Sequence, residues 1–128
     1  MKNYEQLDVI KTARELVDKI YKINLPRFED YAMKSQLIRA TTSIVFNIAE
    51  GYGRGSTNEI VRFLIIAKGS AYEVYEQLQT IERVYGHNLT DEEELVDRII
   101  RMLSGLINFN RNRQSANDQT SRGETNVN

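Results

Sequence analysis

The chain has 128 residues, with 17 lysines and arginines against 18 aspartates and glutamates and a net charge of −1. This length suits one domain with a sizeable core, and the charge balance offers no overall attraction to nucleic acid or to an anionic membrane. The absence of cysteine excludes disulfides and thiol chemistry, and the one histidine, His87, leaves little material for a zinc site. A cytoplasmic protein without a membrane anchor is expected, because the first residues are charged and lack a long apolar run.

The first predicted element is an amphipathic helix from Leu7 to Ile23. Its apolar residues recur at three- and four-residue steps, as they do on one face of a helix. They are Val9, Ile10, Ala13, Leu16, Val17 and Ile20. Pro26, the only proline, then breaks the chain, because proline lacks an amide hydrogen and restricts its predecessor to extended backbone.

Two further helices are predicted, one starting near Asp30 and a longer one from about Thr57 to Tyr85. Each has an apolar stripe at helical spacing. The stripe of the first is Met33, Leu37, Ala40, Thr41, Ile44 and Ile48. The stripe of the second is Ile60, Leu64, Ala67, Ala71, Val74, Leu78, Ile81 and Tyr85.

The glycine-rich stretch AEGYGRGSTNE joins these two helices. It lacks the preceding strand and the spacing of a phosphate-binding loop, so we predict a turn. Gly51 is expected to end the second helix with a positive φ, and Ser56 with Glu59 forms an S-x-x-E capping box. The free amides that follow, with Arg54 nearby, could also hold an anion.

A fourth helix is predicted after Gly86, which suits a left-handed helix cap. The TDEE sequence from Thr90 is typical of a capping box with acids at the positive end of the helix. Its apolar stripe is Leu95, Ile99, Met102, Leu106 and Phe109. Residues 111–128 contain almost no large apolar side chain, so burial cannot offset their ordering entropy and a mobile polar tail is expected.

No segment alternates with period two, and no repeat of fixed length occurs. Four helices joined by short turns predict an all-α fold, an antiparallel up-and-down four-helix bundle. The bundle is assigned to residues 1–110 and the tail to residues 111–128.

The region from Ser35 to Leu78 closely resembles the four-helix bundle family named for 23S ribosomal RNA intervening sequences. The matching positions are Ser35, Gln36, Arg39, Ala40, Ser43, Ile44, Asn47, Ile48, Ala49, Glu50, Gly51, Gly53, Arg54, Glu59, Phe63, Leu64, Ala67, Gly69, Ser70 and Glu73. Family members often have Pro-Ser before the Asn-Ile-Ala-Glu-Gly run, where this chain has Val45 and Phe46. The flanking helices match only in pattern.

The resemblance implies a bacterial protein that assembles into a ring-shaped homo-oligomer, with a pentamer as the expected form. Family members look like products of reading frames inserted in ribosomal RNA genes. Relatives in diversity-generating retroelements act as accessory proteins to a reverse transcriptase. Both associations imply RNA, or an RNA-binding protein such as a reverse transcriptase, as a partner beside the protein itself.

A polar line along the second helix faces polar residues of the third and is the most site-like grouping. It comprises Gln36, Arg39, Ser43, Asn47 and Glu50, with Glu59, Arg62, Ser70 and Glu73 opposite. The alternative is a set of hydrogen bonds that joins the two helices or two subunits, because half-buried polar groups need partners.

A second apolar line widens the buried face of both helices. It comprises Ile38, Val45, Ala49 and Tyr52 on the second helix and Val61, Ile65 and Tyr72 on the third. Contact between subunits would explain it, and so would burial under the first and fourth helices.

A basic surface for RNA or another anion would have to come from scattered cations. The candidates are Lys34, Arg39, Arg54, Arg62 and Lys68, with Arg111, Arg113 and Arg122 in the tail. Singly these are ordinary surface charges, but a ring would repeat a modest patch around its axis. The acids between Asp91 and Asp97 make another face acidic.

Catalysis is not expected. Ferritin-like metal sites need Glu-x-x-His motifs, and serine nucleophiles such as Ser43 or Ser70 lack a histidine base, although a lysine base stays open. The sequence therefore predicts a non-catalytic oligomeric binding or scaffold protein, without cofactor or metal, associated with RNA or ribonucleoprotein. The alternatives are a protein-protein adaptor that binds no nucleic acid, and an undetected enzyme.

Overall fold

The computed structural model describes residues 3–27 and 30–127. Every regular element in these ranges is helical. A short 3-10 helix, Asn3–Gln6, precedes four α-helices. They are α1 (Asp8–Tyr21), α2 (Tyr31–Arg54), α3 (Thr57–Tyr85) and α4 (Thr90–Val127). The predicted all-α class is confirmed.

Each helix packs against the next one in the chain, and α4 returns to pack against α1. Contacts between helices give the relative directions. Ser43 in the middle of α2 contacts Ser70 in the middle of α3, whereas Gly51, further along α2, lies against Phe63, earlier in α3. Gln79 near the end of α3 contacts Glu93 near the start of α4. Consecutive helices therefore run antiparallel, and the four form an up-and-down bundle.

The core lies along the inner stripe of all four helices. Its fully buried members from α1, α2 and α3 are nearly the predicted ones, because their apolar residues recur at helical spacing with charged residues between them. The largest of these side chains are Ile10, Leu16, Ile20, Leu37, Ile44, Ile48, Leu64, Leu78 and Ile81.

The stripe predicted for α4 is rotated relative to the buried one. Leu95 and Ile99 are buried as predicted, but Met102 and Leu106 are only half-buried and Phe109 is exposed. The buried line is instead Val96, Ile99, Leu103, Ile107 and Asn110. Adjacent apolar pairs in this helix fit two neighbouring stripes, and packing against α1 and α3 selects between them.

The turn between α2 and α3 is made by a different glycine from the one predicted. Gly51 does not end α2 but lies buried inside it, and the helix continues to Arg54. Gly55 takes the left-handed conformation, with φ of 81°, and Ser56 accepts a hydrogen bond from the Glu59 amide at 3.2 Å. The predicted helix start at Ser56 is therefore confirmed, whereas the predicted helix end at Gly51 is wrong.

Gly86 ends α3 as predicted, with φ of 71° and its amide bonded to the Glu82 carbonyl. The cap of α4 differs from the predicted capping box. Asn88 Oδ1 accepts hydrogen bonds from the Thr90 amide at 3.0 Å and from the Thr90 hydroxyl at 2.6 Å. Asn88 therefore gives a hydrogen-bond partner to the first backbone amide of α4, and Thr90 is the first residue of the helix.

Helix α4 continues through Val127, whereas composition predicts a mobile tail from residue 111. Residues 111–120 are almost all exposed, and Gln114 donates a hydrogen bond to Asn58 at the start of α3. Once a helix is nucleated, each further residue adds one backbone hydrogen bond, so this segment can extend α4 without burying apolar surface. The boundary between bundle and tail at residue 110 stays a prediction.

Candidate functional site

The centre of the α2–α3 contact is a hydrogen-bonded polar cluster. The hydroxyl oxygens of Ser43 and Ser70 lie 2.8 Å apart. Asn47 Nδ2 donates to Ser43 Oγ at 2.9 Å and to the Ser43 carbonyl at 2.8 Å. Because Ser43 Oγ accepts from Asn47, its own proton is available for Ser70. The cluster thus joins the two helices with its hydrogen bonds made internally.

Next to this cluster, towards the turn, lies a group of charged residues. Arg54 donates to Glu50 Oε1 at 2.9 Å and 3.1 Å, and its Nε lies 3.9 Å from Glu59 Oε2. Arg62 Nη1 lies 3.7 Å from the same Glu59 oxygen. Both guanidinium groups also lie over the Phe63 ring, at 5.1 Å and 5.4 Å. The two arginines are therefore largely compensated by two carboxylates, which reduces their attraction for an external anion.

The remaining polar and basic candidates are separate from this group. Gln36, Arg39 and Glu73 are exposed, and Lys68 is half-buried on α3. Lys34 Nζ donates to the carbonyls of Tyr21 at 3.0 Å and Ile23 at 2.5 Å. Lys34 therefore satisfies carbonyls at the end of α1 and has a structural partner that the sequence did not reveal.

The second apolar lines divide into two groups. Ile38, Val45, Tyr52 and Val61 are half-buried and pack against the core of their own chain. Ile65 and Tyr72 are exposed on α3. The assignment of all six residues to a subunit interface stays a prediction. Of the six, only Ile65 and Tyr72 leave a largely uncovered apolar surface in the single chain.

Tyr52 connects α2 to the middle of α4. Burial raises the pKa of its hydroxyl, and a side-chain hydrogen bond with Asn110 acts in the opposite direction. Asn110 is itself buried and donates to the Leu106 carbonyl at 2.8 Å. This pairing gives Tyr52 a role inside the single chain, which its position in an apolar line did not indicate.

Two exposed apolar residues flank the polar cluster and were not among the sequence candidates. Phe46 is 66% exposed and lies one turn after Ser43, while Ile66 is 43% exposed and lies one turn before Ser70. We call the surface formed by Phe46, Ile66 and the Ser43–Asn47–Ser70 cluster the outer α2–α3 face. By helical spacing, Phe46 lies on the side of α2 opposite the core stripe. That position predicts an exposed aromatic side chain, so Phe46 could have been identified from the sequence.

The opposite end of the bundle is acidic. Burial raises the pKa of Glu93, and the neighbouring Glu82 carboxylate raises it further. Gln79 Nε2 donates to Glu93 Oε1 at 2.9 Å, and Glu82 Oε1 accepts from the Leu89 amide at 2.8 Å. Among the side chains described, those of residues 3–27 and 30–120, no group of His, Asp and Glu could hold a metal ion.

These features define the class: an all-α four-helix bundle with a polar contact between α2 and α3, flanked by exposed apolar side chains. Residues 5–108 match the family model of the 23S rRNA-intervening sequence protein. The chain therefore belongs to the 23S rRNA-intervening sequence protein family.

Among solved structures, the chain is similar to a protein of unknown function from the S23 ribosomal protein family of Bacteroides thetaiotaomicron. The two share 24% sequence identity with a TM-score of 0.71, over 78% of this chain and 95% of that one. At this identity the likeness shows the fold alone. A search of curated proteins found no match. None of the helices in the described ranges is long and apolar enough to span a membrane.

Proposed function

We propose that this protein is a non-catalytic, oligomeric binding or scaffold protein of the bacterial cytoplasm, associated with RNA or with an RNA-bound protein such as a reverse transcriptase. A ring-shaped homo-oligomer, with a pentamer as the expected form, would be its working state. The observation that carries this proposal is the outer α2–α3 face, where Phe46 and Ile66 are exposed beside a polar cluster that already makes its own hydrogen bonds.

Such a face suits association better than chemistry. Its hydroxyl groups are hydrogen-bonded to each other and to an amide, and neither serine contacts a histidine or lysine within the described residues. Exposed apolar side chains around satisfied polar groups resemble the core of a protein interface. Ile65 and Tyr72 are further exposed apolar side chains on α3.

The RNA component of the proposal is supported by the family and by local charge. The family takes its name from intervening sequences of 23S rRNA. The net charge of −1 means that contact with RNA depends on patches, and repeating a patch around a ring would multiply its effect. The rival adaptor, which binds protein alone, is favoured by the compensation of Arg54 and Arg62 by Glu50 and Glu59.

Assembly is tested by sedimentation of two matched variants. Phe46→Ser removes an aromatic ring that is 66% exposed on the outer α2–α3 face, and Phe109→Ser removes one that is 61% exposed on α4. We expect Phe46→Ser to shift the protein towards monomer and Phe109→Ser to leave the assembly unchanged. A wild-type protein that sediments as a monomer at all concentrations would contradict the oligomeric proposal.

The partner class is tested by recovering tagged protein from its native cells with and without nuclease, then sequencing bound RNA and identifying bound proteins. Specific RNA that nuclease removes supports the RNA proposal. A protein partner that survives nuclease, without enriched RNA, supports the adaptor.

A further inference from the structure

We propose that the groove between residues 25–27 and the first turns of α2 binds one unpaired nucleotide of a single-stranded RNA. The base would stack on Tyr31 against an apolar wall, and the phosphate would lie near Arg39. This inference rests on the proposed RNA function and gives it a specific site.

The groove has the size and lining that a nucleotide needs. Its volume is about 770 Å³, within the range of roughly 300–1,000 Å³ typical of ligand pockets. Leu25, Pro26 and Ile38 form its apolar wall, and Tyr31 stands at its side with 79% of its surface exposed. An exposed tyrosine beside an apolar wall is a stacking platform for a base, since every base has a π-face.

The charge of the groove favours an anion. Three cations, Arg27, Lys34 and Arg39, line it together with one described acid, Asp30. The Asp30 carboxylate is buried and already accepts hydrogen bonds from the Tyr85 hydroxyl and from the Arg27 amide. The described lining is therefore positive in a chain whose net charge is −1.

Arg39 differs from the other arginines proposed to bind RNA. Arg54 and Arg62 are paired with Glu50 and Glu59, whereas Arg39 forms no side-chain hydrogen bond or ion pair with any residue that the structure describes. An exposed guanidinium without a carboxylate partner keeps its full attraction for phosphate. The groove therefore combines the stacking surface with the least compensated arginine on α2.

Single strands fit this combination better than duplexes. In a double helix the bases are stacked on each other and their faces are unavailable, whereas unpaired bases in loops and ends can turn onto an aromatic side chain. The expected ligand is therefore an unpaired segment of RNA, without strong dependence on base identity.

The test measures binding of a fluorescein-labelled oligouridylate to the full-length protein by anisotropy, over a range of salt. Tyr31→Ala is expected to weaken binding about tenfold. Arg39→Gln is expected to lower the slope of log affinity against log salt by about 0.7. The matched controls, Tyr75→Ala and Arg98→Gln, change exposed residues of the same types outside the groove and are expected to bind like the unaltered protein. Circular dichroism and sedimentation confirm that each variant folds and assembles.

A second readout reports stacking directly. The chain has no tryptophan, so Tyr31→Trp introduces one tryptophan, which can be excited apart from the tyrosines and which a stacked base would quench. Tyr72→Trp, at a residue that is 54% exposed on α3, should stay unquenched when the oligouridylate is added.

The outcomes separate this inference from the proposed function. If the unaltered protein binds RNA, but Tyr31→Ala and Arg39→Gln bind like their controls, the groove proposal is overturned and the RNA function stands. If duplex RNA competes as well as the single strand, the unpaired nucleotide is excluded. If the unaltered protein binds no RNA at low salt, the groove proposal and the direct RNA component of the proposed function both fail, which leaves association through a protein partner.

Discussion

Gly51 of α2 lies directly against Phe63 of α3, so closely that a β-carbon added at Gly51 would be 2.9 Å from Phe63 Cβ and 3.4 Å from the Ile60 backbone. The absence of a side chain at Gly51 allows the two helices to approach beside the outer α2–α3 face. The approach also holds Phe63 under the Arg54 and Arg62 guanidinium groups.

Gly51→Ala should therefore destabilise the protein. Alanine favours a helix over glycine by about 1 kcal/mol, but overpacking a close contact costs about 1–3 kcal/mol. Because the nearest atom is the β-carbon of Phe63 and cannot rotate away, we expect a net loss of about 1 kcal/mol in unfolding free energy. The control is Gly53→Ala, two residues later, where nothing lies within 4 Å of the new carbon. Urea unfolding should show a gain of about 0.5 kcal/mol for the control, and equal gains for both would contradict the close contact.

Gly55→Ala should destabilise the turn for a different reason. Its φ of 81° lies in the left-handed region, where a β-carbon costs about 1–2 kcal/mol. Gly55→Asn should cost less, because asparagine tolerates this conformation. Thermal unfolding of the two variants measures the difference, and no loss in Gly55→Ala would exclude the left-handed turn.

The Ser43–Ser70 contact should appear as a coupling energy. Ser70→Ala removes one hydrogen bond, at a cost of about 1 kcal/mol, and Ser43→Ala also removes an acceptor from Asn47. The double variant should cost less than the sum, with a coupling of about 0.5 kcal/mol or more. Ser104→Ala on α4, which has no hydrogen-bond partner for its side chain among the described residues, measures the helix-propensity gain alone. Additive losses in urea unfolding would mean that the two hydroxyls do not interact.

Glu93 should make stability depend on pH in the acid range. Its pKa is raised in the folded protein from the ordinary 4.5, so the folded state binds more protons than the unfolded state and stability falls as pH rises through this window. Glu93→Gln should therefore stabilise the protein at neutral pH, by no more than about 1 kcal/mol because the group is partly solvated. The gain should disappear below pH 4.5, where both states are protonated. Glu94→Gln is the control, since Glu94 is exposed one residue away, and a gain that persists in acid would contradict the linkage.

Removing residues 117–128 should change helix content more than stability. The side chains of residues 117–120 are exposed, and Gln114, which contacts Asn58, is retained. We expect a smaller helical signal in circular dichroism, with the unfolding free energy within about 0.5 kcal/mol of the full chain. A large loss of stability would mean that the end of α4 packs on another surface, such as a neighbouring subunit.

Much of the fold could be predicted from the sequence, because it is local. The stripes in α1 to α3, the break at Pro26, the cap at Ser56 and the left-handed Gly86 each depend on residues within a few turns of each other. The spacing of Ser43 and Asn47 likewise placed them on one line, and the structure joins them to Ser70.

Other features were decided only by tertiary structure. Gly51 and Gly55 are both residues that could end a helix, and the structure places the first inside α2 against Phe63 and the left-handed turn at the second. The pairing of Lys34 with the end of α1, and of Arg54 with Glu59, joins residues whose distance depends on how the helices pack. The sequence by itself determined which residues form the helices and their buried faces, since helical periodicity is a property of neighbouring positions. The pairing of Arg54 with Glu50 and of Arg62 with Glu59 is also local, at spacings of four and three residues within one helix. The approach of Arg54 to Glu59 and of Ser43 to Ser70 was decided by packing, because these residues lie on different helices and their distance in space does not follow from spacing along the chain.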